Sequence, residues 1–316
     1  AGYMPRRNRK LIVVVLMGGA SSEHEVSLAT GREVLKELDR RRYAVRPILI
    51  SKKNEWFVGR KHTGPKEAFR GVDVVFNAMH GEFGEDGQAQ SLLEYYGVPY
   101  TGSGVTASVL GMDKFVSRTL FKAAGLSVPR TLVVEKLKYA RNRKAIHREI
   151  MKYCGRWPWV VKPASRGSSV GVSIITGHHG LPAGIRAAFR FDDRALVEEF
   201  ISGREITVPV LERRSGRPEA LPIIEIKPRK SKFFDYREKY GDKGAEEIVP
   251  APLSRSLRDA ARRAALMAHQ TLGCRGYSRV DCIIRGSKIY VLELNTLPGL
   301  TSASLFPKAA KSAGIA

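Results

Sequence analysis

Long apolar runs are missing from this 316-residue sequence. No stretch approaches the roughly 20 apolar residues that a membrane-spanning helix requires, so no membrane partner is expected. The apolar run 11–17 follows Arg6, Arg7, Arg9 and Lys10 but is too short for a signal-peptide core ending in a small-residue cleavage site. It reads as a first buried strand, with Met4 as a natural start. Cysteine is scarce as well. Cys154, Cys274 and Cys282 are odd in number and unevenly spaced, which argues against a disulfide framework or a cysteine-built metal site and for a cytoplasmic setting. Acidic residues are few: 31 Asp and Glu against 54 Lys and Arg leave a net charge of +23. Basic clusters at 40–42, at 141–144, and at Arg255, Arg258, Arg262 and Arg263 raise nucleic-acid binding as a class. Yet no basic run is interleaved with aromatics, and no zinc or helix-turn-helix spacing occurs. The excess charge therefore reads as a solvated surface whose field attracts an anionic nucleotide, with no nucleic-acid partner. The G-x-S-x-G elbow of serine hydrolases and a complete G-x-G-x-x-G dinucleotide fingerprint are both absent.

What is present is ordinary globular composition, 43% hydrophobic and 27% charged, in a chain long enough for three domains of about one hundred residues. Apolar runs at 11–17, 43–50 and 72–78 have strand length. They alternate with helical spacing at 28–38 and 88–96, the latter closed by Gly97. Such βαβ alternation predicts an open parallel sheet with function at the C-terminal ends of its strands, where Gly18-Gly19 and His80-Gly81 lie. A helix over 114–124 is stopped by Gly125. Short strands follow at 159–162, 171–176 and 195–199, among basic helical segments. The last third carries strands at 206–211, 220–226, 279–285 and 289–294, the last two joined as a hairpin, and a helix over 254–271.

Three constellations carry chemistry. Asp281 lies on one hairpin strand, and Glu293 and Asn295, two apart and so on one face, lie on the other. Two carboxylates and an amide oxygen make the hard donor set that magnesium takes together with phosphates, although a solvent-facing strand would look similar. The loop after them contains Gly299, which can offer a backbone N–H to a ligand. Second, a strand ends at Lys162 and is followed by the small-residue loop 166–171, which includes Ser168 and Ser169. Such a loop admits phosphate oxygens to its backbone N–H groups, but a glycine-rich hairpin is also common as plain structure. It is not a Walker A loop, because a strand follows it. Third, Glu23 and Glu25 follow Gly18-Gly19, where they either serve a site or simply favour a helix N-terminus. His80, at a strand end, is a further binding candidate, with no cysteine or second histidine nearby to build a zinc site.

Together with Gly84-Glu85-Asp86-Gly87, Met112-Asp113-Lys114, Gly203-Arg204-Glu205 and the segment 293–305, these stretches resemble the D-alanine–D-alanine ligases over residues 13–313. The resemblance implies an ATP-grasp α/β fold of three domains, with boundaries at 1–113 (a Rossmann-like parallel sheet), 114–205 and 206–316. It implies ATP and two magnesium ions, replaceable by manganese, and D-alanine as the substrate, for peptidoglycan precursor synthesis by a homodimer. Lys114, Lys162, Ser169 and Lys239 would meet the phosphates. Glu198, Glu199, Phe200, Ile201 and Glu205 would hold adenine and ribose, and Asp281, Glu293 and Asn295 the metal. Glu23 would take the first ammonium, linked through Ser168 to Tyr240. Arg279 and the Gly299 N–H would form the oxyanion site, while His80, Ser304 and Leu305 would contact substrate. Another ATP-grasp carboxylate–amine ligase, or a D-alanine–D-lactate or D-serine ligase, is the alternative; Tyr240 favours D-alanine over D-lactate. The sequence departs from the resemblance at Arg166, where many relatives carry glutamate, in the glycine-rich and charged segment 241–247, and in stopping before the family's usual final helix.

Overall fold

The computed structural model describes residues 9–165, 171–213, 215–227 and 245–315, and within these the chain builds three sheets. The first section comprises β1 (Leu11–Gly18), α1 (His24–Glu37), β2 (Tyr43–Ile50), β3 (Trp56–Val58), β4 (Lys61–Thr63), α2 (Pro65–Ala68), β5 (Val74–Asn77) and α3 (Gln88–Tyr95). Helices α4 (Val105–Met112) and α5 (Lys114–Ala123) follow. The second section holds β6 (Thr131–Glu135), α6 (Lys136–Arg141), α7 (Arg143–Cys154), β7 (Trp159–Pro163), β8 (Ser173–Ile175), α8 (Leu181–Ala188) and β9 (Arg194–Glu199). The third holds β10 (Arg204–Glu212), β11 (Pro218–Ala220), β12 (Ile224–Lys227), β13 (Glu246–Ile248), α9 (Arg255–Thr271), β14 (Tyr277–Arg285), β15 (Lys288–Asn295) and α10 (Leu305–Ser312).

The first sheet has the order β4-β3-β2-β1-β5, parallel about β1 and closed at one edge by the antiparallel β3–β4 hairpin. Its C-terminal ends carry Gly18-Gly19 and His80, as the βαβ pattern predicts. Gly18 has φ +96°, and a Cβ there would lie 2.2 Å from the Ile50 carbonyl oxygen, so the chain turns off β1 at a place only glycine fits. The second sheet, β6-β9-β7-β8, and the third, β13-β12-β10-β14-β15, are antiparallel.

Each sheet has its own buried cluster, around Leu16 and Ile48, around Trp159 and Ile185, and around Ile206 and Val280. Helix α5 joins the third of these: Phe121 is fully buried among residues of β10, β14 and β15. Truncating Phe121 to alanine would cost about 3–5 kcal/mol, so α5 is firmly fixed to the third sheet. Its N-terminus is set by Asp113, whose carboxylate accepts from the N–H groups of Phe115 and Val116 and so aims Lys114.

Several elements differ in detail from the sequence pattern. Strand 220–226 is two strands, β11 and β12, separated at Leu221-Pro222-Ile223, where a proline cannot donate to a ladder. Helix α1 starts four residues before its apolar periodicity, at Glu23 as N-cap. The short β3–β4 hairpin, α4 and α10 had no strong periodic signal.

Candidate active site

The strongest local geometry is on the β14–β15 hairpin. Asp281 stands directly across from Glu293, and Arg279 directly across from Asn295, so four polar side chains form a square on one face. Arg279 makes a two-pronged bond to Asp281, Nε to Oδ1 at 3.0 Å and Nη2 to Oδ2 at 2.9 Å. Thr207, in register with Asp281 on β10, donates its hydroxyl to Oδ1 at 2.5 Å. Glu293 Oε2 lies 3.5 Å from Lys114 Nζ. The Asn295 amide oxygen accepts from the Leu297 N–H at 2.8 Å, which turns the chain into the Gly299 loop. The donors are all oxygen and two are carboxylates, a set that fits a hard divalent cation.

Leu292 is the extra residue of a β-bulge, because the register passes from Asp281–Glu293 to Cys282–Val291. A bulge leaves its extra residue unpaired in the ladder. The Leu292 carbonyl accepts instead from Arg118 Nε at 2.7 Å. The same guanidinium reaches Glu198 Oε1 at 2.6 Å and the Thr131 hydroxyl at 3.2 Å, and Lys162 Nζ approaches Glu198 Oε1 at 3.0 Å. Burial pushes the Glu198 carboxyl up, but the two neighbouring cations outweigh it and hold the group below the usual carboxylate range. Lys162 is brought down to about 8, first by burial and then by Arg118, with Glu198 opposing. Glu199, pointing to the opposite face, pairs with Arg130 at 2.8 Å. The Phe200 N–H donates to the Pro158 carbonyl, and Ile201 is buried.

Beyond the hairpin a cleft of about 760 Å³ is lined by Lys114, Glu205, Arg279, Asp281, Glu293, Asn295, Gly299, Ser304 and Leu305, and by Glu23, His80 and Glu85 from the first section. Glu23, His80 and Glu85 bring their ligand atoms within 4.8 Å of one another. His80 Nδ1 donates to Glu85 Oε1 at 3.2 Å, since the carboxylate can only accept, and its Nε2 meets the Thr30 hydroxyl at 2.8 Å. Ser304 caps α10; its hydroxyl oxygen accepts from the Thr301 N–H at 3.2 Å, and a Cβ on Gly299 would come within 2.9 Å of it.

Of the residues singled out in the sequence, the cleft thus gathers Glu23, His80, Lys114, Glu205, Arg279, Asp281, Glu293, Asn295, Gly299, Ser304 and Leu305. Lys162 and Glu198 sit together in the buried cluster, with Glu199, Phe200 and Ile201 following on the same strand end. Ser168, Ser169, Lys239 and Tyr240 lie outside the described residues. Arg118, Thr207, Thr30 and Glu85 were not anticipated. Arg118 stands one turn after Lys114 on α5, a spacing that does put both on one helix face.

The family model for the D-ala D-ala ligase C-terminus matches residues 120–316, and that for the N-terminus matches 12–69 and 60–103. The chain belongs to the D-alanine–D-alanine ligase family. Among relatives in this family, the D-alanine–D-alanine ligase of Syntrophotalea carbinolica is 42% identical over 306 residues, covering 96% of this chain and 91% of its own. That of Geobacter sulfurreducens is 43% identical, with 95% and 89% covered. Among solved structures, the D-Ala:D-Ser ligase of Enterococcus faecalis superposes with a TM-score of 0.84 at 30% identity, covering 97% of this chain and 96% of that one. The D-alanine–D-alanine ligase of Bacillus anthracis complexed with ATP gives 0.79 at 33% identity, with 97% and 93% covered. The fold is accordingly the ATP-grasp fold of these ligases, with the parallel-containing sheet at its N-terminus.

Proposed function

We propose that this chain joins two D-alanines into D-alanyl-D-alanine while converting ATP to ADP and phosphate, in the cytoplasm, for peptidoglycan synthesis. The observation that carries this reading is one cleft in which the carboxylate hairpin and Lys114 face the Glu23–His80–Glu85 group. One end suits a phosphorylated nucleotide, and the other suits a small ammonium compound.

The first D-alanine places its ammonium at Glu23, steadied through Ser168 and Tyr240, with His80 beside it. Its carboxylate attacks the γ-phosphorus of ATP, giving an acyl phosphate and ADP. The amine of the second D-alanine then attacks the acyl carbon, and phosphate leaves. Arg279 and the Gly299 N–H stabilise the tetrahedral oxyanion, and the second carboxylate meets Ser304 and Leu305 at the N-terminus of α10. Lys114, Lys162, Ser169 and Lys239 neutralise phosphate charge. Glu198, Glu199, Phe200 and Ile201 hold the base, and Glu205 the ribose. Asp281, Glu293 and Asn295 would hold two magnesium ions, or manganese, which when bound offset charge on the transferred phosphoryl group. We assign the chain the units 1–113, 114–205 and 206–316, in a protein that works as a homodimer.

The structural likeness to a D-Ala:D-Ser ligase supports a second reading, in which the second substrate is D-serine. Phosphate release and product mass, measured with D-alanine alone, with D-alanine plus D-serine or D-lactate, and with L-alanine, separate the two. D-alanine alone should give D-alanyl-D-alanine and L-alanine nothing; a mixed product in preference to the homodipeptide would move the assignment to the second reading.

A further inference from the structure

The guanidinium of Arg118 belongs to no part of the reaction just described, yet it touches two sheets, the third, which lines the cleft, and the second beside it. Helix α5 fixes it to the third sheet, where Nε fills the carbonyl that the β15 bulge leaves unpaired. Its other arm reaches Thr131 on β6 and Glu198 on β9, which face each other across the second sheet. Arg118 is 3% exposed, and so is Glu198. A buried carboxylate between a guanidinium and an ammonium leaves one positive charge in excess, a condition that costs free energy until an anion arrives.

We propose that Arg118 is a positioning residue for the nucleotide: by holding Glu198 across the two sheets, it makes Lys162 the surplus cation, free to turn to a phosphate. This rests on the ATP-dependent reading above. The planar fork of the guanidinium reaches Leu292 and Glu198 at once, so its hold on Glu198 does not depend on a ligand. Without it, Glu198 and Lys162 form a closed, neutral, desolvated pair, and a phosphate has to break that pair before Lys162 can serve it. Arg118 acts through Glu198 and not on the substrate, so its effect falls on ATP and not on D-alanine.

The test uses the full chain with magnesium and compares R118M, R118K, E198Q and R118M/E198Q. In R118M the dissociation constant for ATP, read by calorimetry, rises about tenfold or more, while KM for D-alanine stays within about twofold of wild type. R118K, which keeps the charge but not the fork that reaches both sheets, falls between R118M and wild type. The double variant binds ATP no worse than E198Q alone, because both changes act on one interaction. If R118M melts too low to assay, R118K decides alone. Wild-type ATP affinity in R118M or R118K, equal losses in ATP and D-alanine parameters, or additive losses in the double variant each overturn the proposal. A wild-type protein that binds ATP but makes no dipeptide sinks the substrate reading and leaves this test intact. One that binds no nucleotide sinks both.

Discussion

On the β14–β15 hairpin each carboxylate faces a cation, Asp281 with Arg279 and Glu293 with Lys114, whereas in the neighbouring cluster a single carboxylate, Glu198, faces two. The hairpin carboxylates also meet more water. The side chains of Glu293 and Asp281 are 36% and 15% exposed, against 4% for Glu198, while Lys114 and Lys162 differ little, at 9% and 13%. Partly solvated ion pairs contribute little, so a divalent cation can take the hairpin carboxylates and release Lys114 and Arg279 toward phosphate and oxyanion. In the buried cluster the Coulomb energy is larger and the partners are set before any ligand arrives. The same residue types thus make exchangeable pairs on the hairpin and, in Arg118 with Glu198, a fixed pair in the buried cluster, and the burial of the carboxylate decides which.

That contrast can be broken at four points. The largest effect is expected for Glu293→Gln, which leaves one hairpin carboxylate to hold metal. Dipeptide formation should fall more than about a thousandfold, with little change in melting temperature because Glu293 is partly exposed. Next, Lys162→Met should weaken ATP binding about a hundredfold, read by calorimetry, and leave D-alanine binding nearly intact. In the wild type the Lys162 ammonium is depressed to about 8, so it is charged below that pH and loses its proton above it. The log of kcat/KM for ATP should therefore fall as pH rises through about 8, and this limb should vanish in Lys162→Met. A smaller change, Thr207→Val, removes the hydroxyl bond to Asp281 and should raise the magnesium requirement about tenfold without altering KM for ATP at saturating metal. Smallest, Thr30→Val takes away one partner of the His80 ring, and KM for D-alanine alone should rise severalfold, on the order of 1 kcal/mol.

Strand periodicity was enough to put Asp281 and Glu293 on neighbouring strands and to join 279–285 with 289–294, since a hairpin with a short turn has few registers, but the direct Asp281–Glu293 pairing comes from the bulge. The N-terminal βαβ order and the loops at Gly18 and His80 were legible for the same reason: each strand is a bounded apolar run. The bulge at Leu292 was not, because Leu-Glu-Leu reads as uninterrupted alternation and only pairing reveals the extra residue. Arg118 was hidden in the same way. A basic residue on a helix ordinarily faces solvent, and nothing local says that α5 leaves its partner sheet to meet a second one. Thr207 and Thr30 were missed because their roles lie across a strand pair and across 50 residues of chain, which no spacing rule spans.

The claim that one cleft activates a carboxylate with ATP and then hands it to an amine is tested most directly with D-alanine carrying ¹⁸O at both carboxyl oxygens. If the carboxylate oxygen attacks phosphorus, each dipeptide formed releases one phosphate bearing a single ¹⁸O, visible by mass spectrometry. Dipeptide accompanied by unlabelled phosphate, or ATP consumption without dipeptide, would contradict the account.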